Sequence, residues 1–388
     1  MSGVHRALIS CPNITSLRLR VTLLGCSSWP DRWSFPFALD GKDTYPNLRT
    51  LHLEGYDFDQ REWNDLQSRL GPMRWYERWA DWIFSGKAFK QISFNISLSA
   101  EQREKDNLDL WLDAMDWGMV EELALADNRA NYTYFFGKAS KALTGLQRLQ
   151  LDGGEVNETI QILKALADNG VALTNFTWTD NSNSYPQNST LPTIAKTHGQ
   201  SLLHLDVHSI EAMSTSGIVF SATEIEHLQQ MPNLNHLSLN LPRNGTWPLE
   251  SLSAIAGISP LRTLDLWLDI MSECRRQKTE PHHWRPYPDE VEGCTEEEQF
   301  LRPYANETTA NEVFEFMRSK KLGNELESVT FWVGDWGRPW DGPLYEPSWV
   351  ENRRAKISCN VVAERCVVEE GNNYWSPDNS WREMDPEK

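Results

Sequence analysis

The side chains best equipped for chemistry are two histidines and an aspartate, His204, His236 and Asp206. Imidazole nitrogens and a carboxylate are ordinary zinc ligands and ordinary proton carriers near neutral pH. A cluster of the three would therefore suit a metal-dependent hydrolase or an acid–base pair. His204 and His236 stand 32 residues apart, so they can meet only if the chain returns in register. Cys274, His282, His283 and Cys294 form a second candidate set, but their separations match no regular zinc spacing and fit an ordinary loop. The chain has no G-x-G-x-x-G, P-loop, H-E-x-x-H or nucleophile elbow. A non-catalytic protein without cofactor or metal is the leading expectation, and the hydrolase is the alternative.

What would bring the histidines together is a repeat. Ten times the chain returns to an apolar residue, two others, an apolar residue, one other and an apolar residue. The copies begin at Ile14, Leu48, Phe89, Val120, Leu146, Leu173, Leu202, Leu234, Leu261 and Leu326. Successive starts are 34, 41, 31, 26, 27, 29, 32, 27 and 65 residues apart. Those steps centre on the 20–29 residue period of leucine-rich repeats and their longer relatives. In a strand, alternate side chains face opposite ways, so the last two apolar residues of each copy point into one core. No copy covers its own apolar face, so the strands must stack into a long parallel sheet. The expected fold is α/β, a leucine-rich-repeat solenoid (horseshoe) of about ten irregular repeats with a parallel concave sheet.

This register lines the concave face with three rows of side chains. The middle row reads Arg18, His52, Ser93, Ala124, Gln150, Thr177, Asp206, Ser238, Asp265 and Thr330. His204 and His236 flank it on one side, and His208, Asn240, Trp267 and Trp332 on the other. Neighbouring strands lie about 4.8 Å apart, so His204 and His236 could touch, near Asp206 and Asp265. Polar residues must line this face in any soluble solenoid, and the mixture of donors, acceptors and aromatic anchors suits a protein-binding hot spot. The partner-binding residues expected are Arg18, His52, His204, Asp206, His208, His236, Asn240, Asp265, Trp267 and Trp332.

Between the strands the sequence reads as helix. Ser99 to Gln102, Ser221 to Glu224 and Thr309 to Glu312 each offer a capping box. Asn157 to Asn169, with Ile160, Leu163 and Leu166 on one stripe and Gly170 behind, reads as an amphipathic helix. The aromatic-rich stretch Met73 to Phe84 reads as helical packing between repeats. Residues 1–332 are assigned to the solenoid, with a polar insertion at 271–305 as the candidate functional loop. Residues 333–370 are assigned to a Trp-rich C-terminal cap containing a hairpin at Lys356–Val368, and 371–388 to a flexible tail. About a dozen residues precede the first strand, enough for a short helix over Gly3–Ser10 and too few for a full cap. A partner or preceding sequence is expected over that edge.

Composition narrows the classes. The 40% hydrophobic and 24% charged content is that of a folded protein. No apolar run approaches the ~18 residues of a membrane span, and the first ten residues hold too short an apolar stretch for a secretory signal. A net charge of -18 lacks the cationic footprint of nucleic-acid binding. Arg18, Arg20 and Arg49 form the one local basic cluster, more simply a solvated strand face. Six cysteines with no close pair are expected to be mostly free thiols. Eight N-x-S/T sequons, at Asn13, Asn95, Asn131, Asn157, Asn175, Asn188, Asn244 and Asn306, point the other way, towards a secreted glycoprotein recognition module. Without a leader they read as incidental, and the expected location is cytoplasmic or nuclear, with no membrane contact.

The chain resembles the substrate-recognition half of fungal F-box proteins with leucine-rich repeats. The resemblance rests on Cys11-Pro-Asn-Ile-Thr-Ser-Leu17-Arg-Leu19, Tyr45-Pro-Asn-Leu-Arg-Thr-Leu51-His-Leu53 and Met231-Pro-Asn-Leu-Asn-His-Leu237-Ser-Leu239. To these are added the ending Phe331-Trp-Val-Gly-Asp-Trp336 and the segment Arg354 to Cys366. It implies a substrate adaptor of a cullin-type ubiquitin ligase, whose repeats bind a protein target and whose F-box recruits Skp and cullin subunits. No F-box motif precedes Ile14, so the resemblance covers the target-binding repeats alone.

Overall fold

The computed structural model describes residues 1–21, 32–64, 98–126, 131–180, 189–209, 219–272, 274, 294, 300–334, 355–363 and 365–369. They belong to two compact units, Met1–Gln147 with Asp168–Val171, and Arg148–Ala167 with Ala172–Lys388.

In the first unit, helix α1 (Ser2–Ser10) leads to three strands, β1 (Ser16–Arg20), β2 (Thr50–Glu54) and β3 (Glu122–Ala126). They pair in parallel in the order β1-β2-β3. The strand of the second copy thus pairs directly with that of the fourth, Leu51 opposite Leu123. The third copy (Phe89, Ile92, Phe94) and the aromatic stretch Met73–Phe84 lie outside the described residues. Helices α2 (Ala100–Glu104) and α3 (Asn107–Ala114) lie between β2 and β3, and α4 (Tyr132–Ala139) follows β3. Ser99 caps α2 in the reciprocal box with Gln102 that its sequence implies. The core is aromatic, with Phe35, Tyr56 and Trp117 ringing Trp111 at centroid distances of 5.1, 5.0 and 5.7 Å. His5 of α1 docks into it through Nδ1 and the Tyr45 hydroxyl at 2.6 Å.

The second unit carries β4 (Arg148–Asp152), β5 (Asn175–Asp180), β6 (His204–Ser209), β7 (His236–Asn240), β8 (Thr263–Leu268) and β9 (Ser328–Val333). Each pairs in parallel with the next. Hairpin strands β10 (Ala355–Asn360) and β11 (Arg365–Glu369) then add antiparallel, β10 against β9. The two inward residues of every strand from Leu149 and Leu151 to Val329 and Phe331 are at most 2% exposed. Full burial of such a side chain contributes about 2 kcal/mol, which fixes the register, because a slip of one residue would turn every one of them outward.

Helices α5 (Val156–Asp168), α6 (Thr190–His198), α7 (Ala222–Glu226), α8 (Leu249–Ala256) and α9 (Glu307–Lys320) connect these strands. The stripe Ile160, Leu163 and Leu166 of α5 is buried, and Gly170 takes a φ of +80° just beyond the helix. Ser221 makes its expected box with Glu224. At α9 the sequence reading is corrected. Asn306 is the cap and Thr309 its reciprocal partner, because Asn306 Oδ1 accepts from the Thr309 backbone N–H while Thr309 Oγ1 accepts from that of Asn306. The helix therefore starts three residues before the expected box.

The cysteines also depart from expectation. Cys274 is bonded to Cys294, and Cys359 of β10 to Cys366 of β11, where the two face each other across the hairpin. Sequence alone hides both, since the pairs are 20 and 7 residues apart and a spacing along the chain does not fix a distance in space. Cys11 is an exposed free thiol. Cys26, the remainder of the 271–305 insertion, including His282 and His283, and residues 371–388 lie outside the described residues. Among the described residues no helix is long and apolar enough to cross a membrane.

Candidate functional site

Eight of the ten expected face residues fall together on β6–β9 of the second unit. Parallel pairing sets His204 opposite His236 and Asn240 opposite Trp267, and Trp267 opposite Trp332. The His204 and His236 rings stack at 3.9 Å with planes 6° apart, the contact anticipated from their matching places in consecutive repeats. His236 Nδ1 lies 2.8 Å from Thr263 Oγ1, and its Nε2 3.9 Å from Asp265 Oδ2.

One layer across, the aromatic side chains form a ladder. His208 stacks on Trp267 at 3.9 Å and 4°, Trp267 on Trp332 at 5.2 Å and 10°, and Lys356 Nζ sits 5.0 Å from the Trp332 ring centre. His208 and Trp267 are two strands apart, about 9.6 Å at the backbone, so both lean across β7 to meet. The β7 residue at that level, Asn240, permits this by folding away. Its Oδ1 accepts from Ser209 N at 2.7 Å, and its Nδ2 donates to Ser209 O at 3.0 Å.

Hydrogen bonds lock the ladder to the middle row. Trp267 Nε1 donates to Ser238 Oγ at 2.9 Å, Ser238 hydrogen-bonds to Asp206, and Asp206 Oδ1 meets His208 Nδ1 at 2.6 Å. The circuit closes through the His208–Trp267 stack, so each group holds the next.

The electrostatics follow. Burial would raise the Asp206 carboxyl, but the adjacent His208 and the hydrogen bonds from His208 and Ser238 outweigh it and hold the group below the usual carboxylate range. Asp265 is pushed up by burial, with the Asp206 charge adding and hydrogen bonds from Thr330 and Trp332 partly offsetting. Burial lowers both His204 and His236. At neutral pH His204 and His236 are therefore neutral imidazoles, near the ionised Asp206 carboxylate.

Three placements bear on the expected face. Asn240 is 2% and His208 7% exposed, each covered by its neighbours on the face. Arg18 and His52 belong to the first unit, and His52 Nε2 is engaged with Glu122 Oε1 at 2.5 Å. The N-terminal basic cluster is neutralised in part, because Arg20 pairs with Glu54 and Arg49 with Glu121, each at 3.2 Å. Sequence reasoning missed Lys356, whose place beside Trp332 depends on the hairpin register, and the roles of Ser238 and Thr263 as clamps.

As for metal chemistry, among the described residues no group of three His, Cys, Asp or Glu side chains is arranged to hold an ion. The sulfurs of Cys274 and Cys294 are consumed in their disulfide.

The first unit has its own polar cleft, of about 850 Å³, into which Arg61, Glu104, Asp106, Asp109, Tyr134 and Lys138 open. These groups satisfy one another. Lys138 Nζ binds Asp106, and Asp109 at 2.8 Å, the Tyr134 hydroxyl donates to Asp106, and Arg61 pairs with Glu104 at 2.9 Å. Burial opposes the Lys138 ammonium, yet its hydrogen bonds to the two aspartates raise it well above an ordinary lysine. The Tyr134 hydroxyl is pushed up to about 12 by burial and the Asp106 hydrogen bond. With its charges internally paired, this cleft ties α4 to α3 and the ladder is the better candidate.

No family model, no curated protein and no solved structure matches the chain.

Proposed function

We propose that the chain is a non-catalytic protein-binding scaffold that receives a segment of a partner protein across strands β6–β9 of its second unit. The observation that carries this reading is the ladder His208–Trp267–Trp332–Lys356. Trp267 lies between His208 and Trp332, and Trp332 between Trp267 and Lys356, so among the described residues the ladder itself leaves no open indole plane on which a sugar ring could stack. The half-buried indole edges, with the His204–His236 stack and Asp265 beside them, offer a rigid amphipathic surface instead. Aromatic anchors fixed before binding lose little conformational entropy when a partner arrives, which is the physical property of a hot spot.

Within this reading the resemblance to F-box proteins suggests a ubiquitin-ligase substrate adaptor recruiting Skp and cullin subunits. The pairing of Cys274 with Cys294 and Cys359 with Cys366 favours a second version, a recognition module of an oxidising compartment, because structural disulfides persist there and not in a reducing cytosol. Proteins co-purifying with the tagged chain, compared between wild type and a His204→Ala/Asp265→Ala/Trp267→Ala variant, decide between them. The scaffold requires a partner retained by the wild type and lost from the folded variant. Skp and cullin peptides would establish the adaptor. A partner set unchanged by the variant would rule out this face.

A further inference from the structure

We propose that the chain matures in an oxidising compartment and carries N-linked glycans at Asn244 and Asn131. This inference does not depend on the scaffold reading. With 25 Asn and 53 Ser or Thr in 388 residues, chance placement yields about three N-x-S/T triplets, and the chain has eight. Among the described residues no asparagine of such a triplet is buried. Of the six whose side chains are described, Asn13, Asn131, Asn157 and Asn244 are exposed, and Asn175 and Asn306 are half-buried. The asparagines that are buried, Asn107 at 0% and Asn240 at 2%, lie in no such triplet. A glycan is tolerated only where the folded chain leaves the amide in solvent, so the triplets stand where the fold can accept one.

Asn244 has the most open setting. It follows β7 in a loop where Asn244, Gly245 and Thr246 are all exposed, and Gly245 turns the chain with a φ of +78°. Asn131 caps α4 by accepting the Tyr134 N–H on Oδ1 at 2.9 Å, a bond that a substituent on Nδ2 leaves intact. Asn175 is the counter-case: it opens β5 in register with His204, where a glycan would obstruct the sheet face.

The disulfides are the independent observation. Four of the five described cysteines are paired, and each pair forms as two thiols lose two protons and two electrons to an exchanging disulfide. The compartment that supplies such oxidants also supplies lipid-linked oligosaccharide. There the Asn Nδ2 displaces pyrophosphate at the anomeric carbon: the C1–O bond breaks, the C1–N bond forms, lipid pyrophosphate leaves, and one amide proton passes to a base.

The test is mass spectrometry of the chain purified from its own source, without forced secretion. Peptide N-glycosidase in heavy-oxygen water marks each occupied Asn by conversion to labelled Asp, and non-reducing digestion reports the cysteine pairs. The expected result is label at Asn244 and Asn131 and none at Asn175, with Cys359 linked to Cys366. An Asn244→Gln form should lose one glycan increment and no other. Unlabelled Asn244 and Asn131 would overturn the proposal even if the cysteines were paired, and so would free Cys359 and Cys366 in a labelled chain.

Discussion

Replacing Trp267 with alanine removes the middle of the ladder, and the loss can be worked from its contacts. Two stacks disappear, on His208 and on Trp332, each contributing about 0.5–1.5 kcal/mol beyond burial. The Nε1 bond to Ser238 contributes about 1 kcal/mol more. With the lost burial of the half-buried ring added, the expected destabilisation is at least about 3 kcal/mol. Trp267→Phe keeps an aromatic plane between the same neighbours and loses only the hydrogen bond, so about 1 kcal/mol is expected. Urea denaturation followed by near-ultraviolet circular dichroism reads both, since parallel stacked indoles give a strong coupled signal that either Trp267 variant abolishes. The comparison is best made on midpoints at constant slope. A Trp267→Ala midpoint within about 0.5 kcal/mol of wild type, or an unchanged aromatic signal, would mean that the ladder does not form.

Acidification should destabilise the fold. Burial lowers His5, His198, His204 and His236 below their unfolded value of 6.5, so below that pH the unfolded chain binds more protons. Their contribution is complete above 6.5 and declines as the pH falls towards the folded values. Asp265, raised in the fold, acts in the opposite sense, and a His204→Gln/His236→Gln variant should flatten the urea midpoint profile between pH 7.5 and 5.5. A profile unaltered in the variant would contradict the burial argument. Reduction of the Cys359–Cys366 bond, or Cys359→Ser, should lower stability by about 2–3 kcal/mol, the loop entropy of a short closure, measured as a midpoint shift between oxidised and reduced protein. Gly323 has a φ of +73°, and a Cβ there would lie 2.6 Å from the Ser259 carbonyl oxygen. Gly323→Ala should therefore lower stability by about 1–3 kcal/mol, read from the urea midpoint, against no loss for Gly3→Ala, which lies in α1 and meets open space.

Much of the sheet was legible because its logic is local and repeated. Once Leu205 and Leu237 are taken as inward, His204 and His236 have only one place to go, and their stacking follows from repeat arithmetic. The ladder was half legible for the same reason. Trp267 and Trp332 occupy equivalent positions, but the lean of His208 across β7 depends on Asn240 choosing the Ser209 backbone over solvent, and no periodicity encodes that choice. Lys356 was hidden because it arrives on an antiparallel hairpin whose register follows its own turn and owes nothing to the repeat. Thr309 misled because Thr-x-x-Glu is a sound cap signal, and the competing Asn306-x-x-Thr box uses a reciprocal hydroxyl instead of a carboxylate. The two disulfides were illegible in principle, since the sequence gives spacings and a pair needs a distance.

On the proposed function, a protein partner sits on the face formed by β6–β9. Hydroxyl-radical footprinting of the chain, free and bound to its co-purified partner, tests that most directly. Trp267, Trp332 and His236 should lose reactivity on binding while Tyr134, in the first unit's cleft, keeps its own. Protection elsewhere, with both indoles as reactive in the complex as in the free chain, would contradict it.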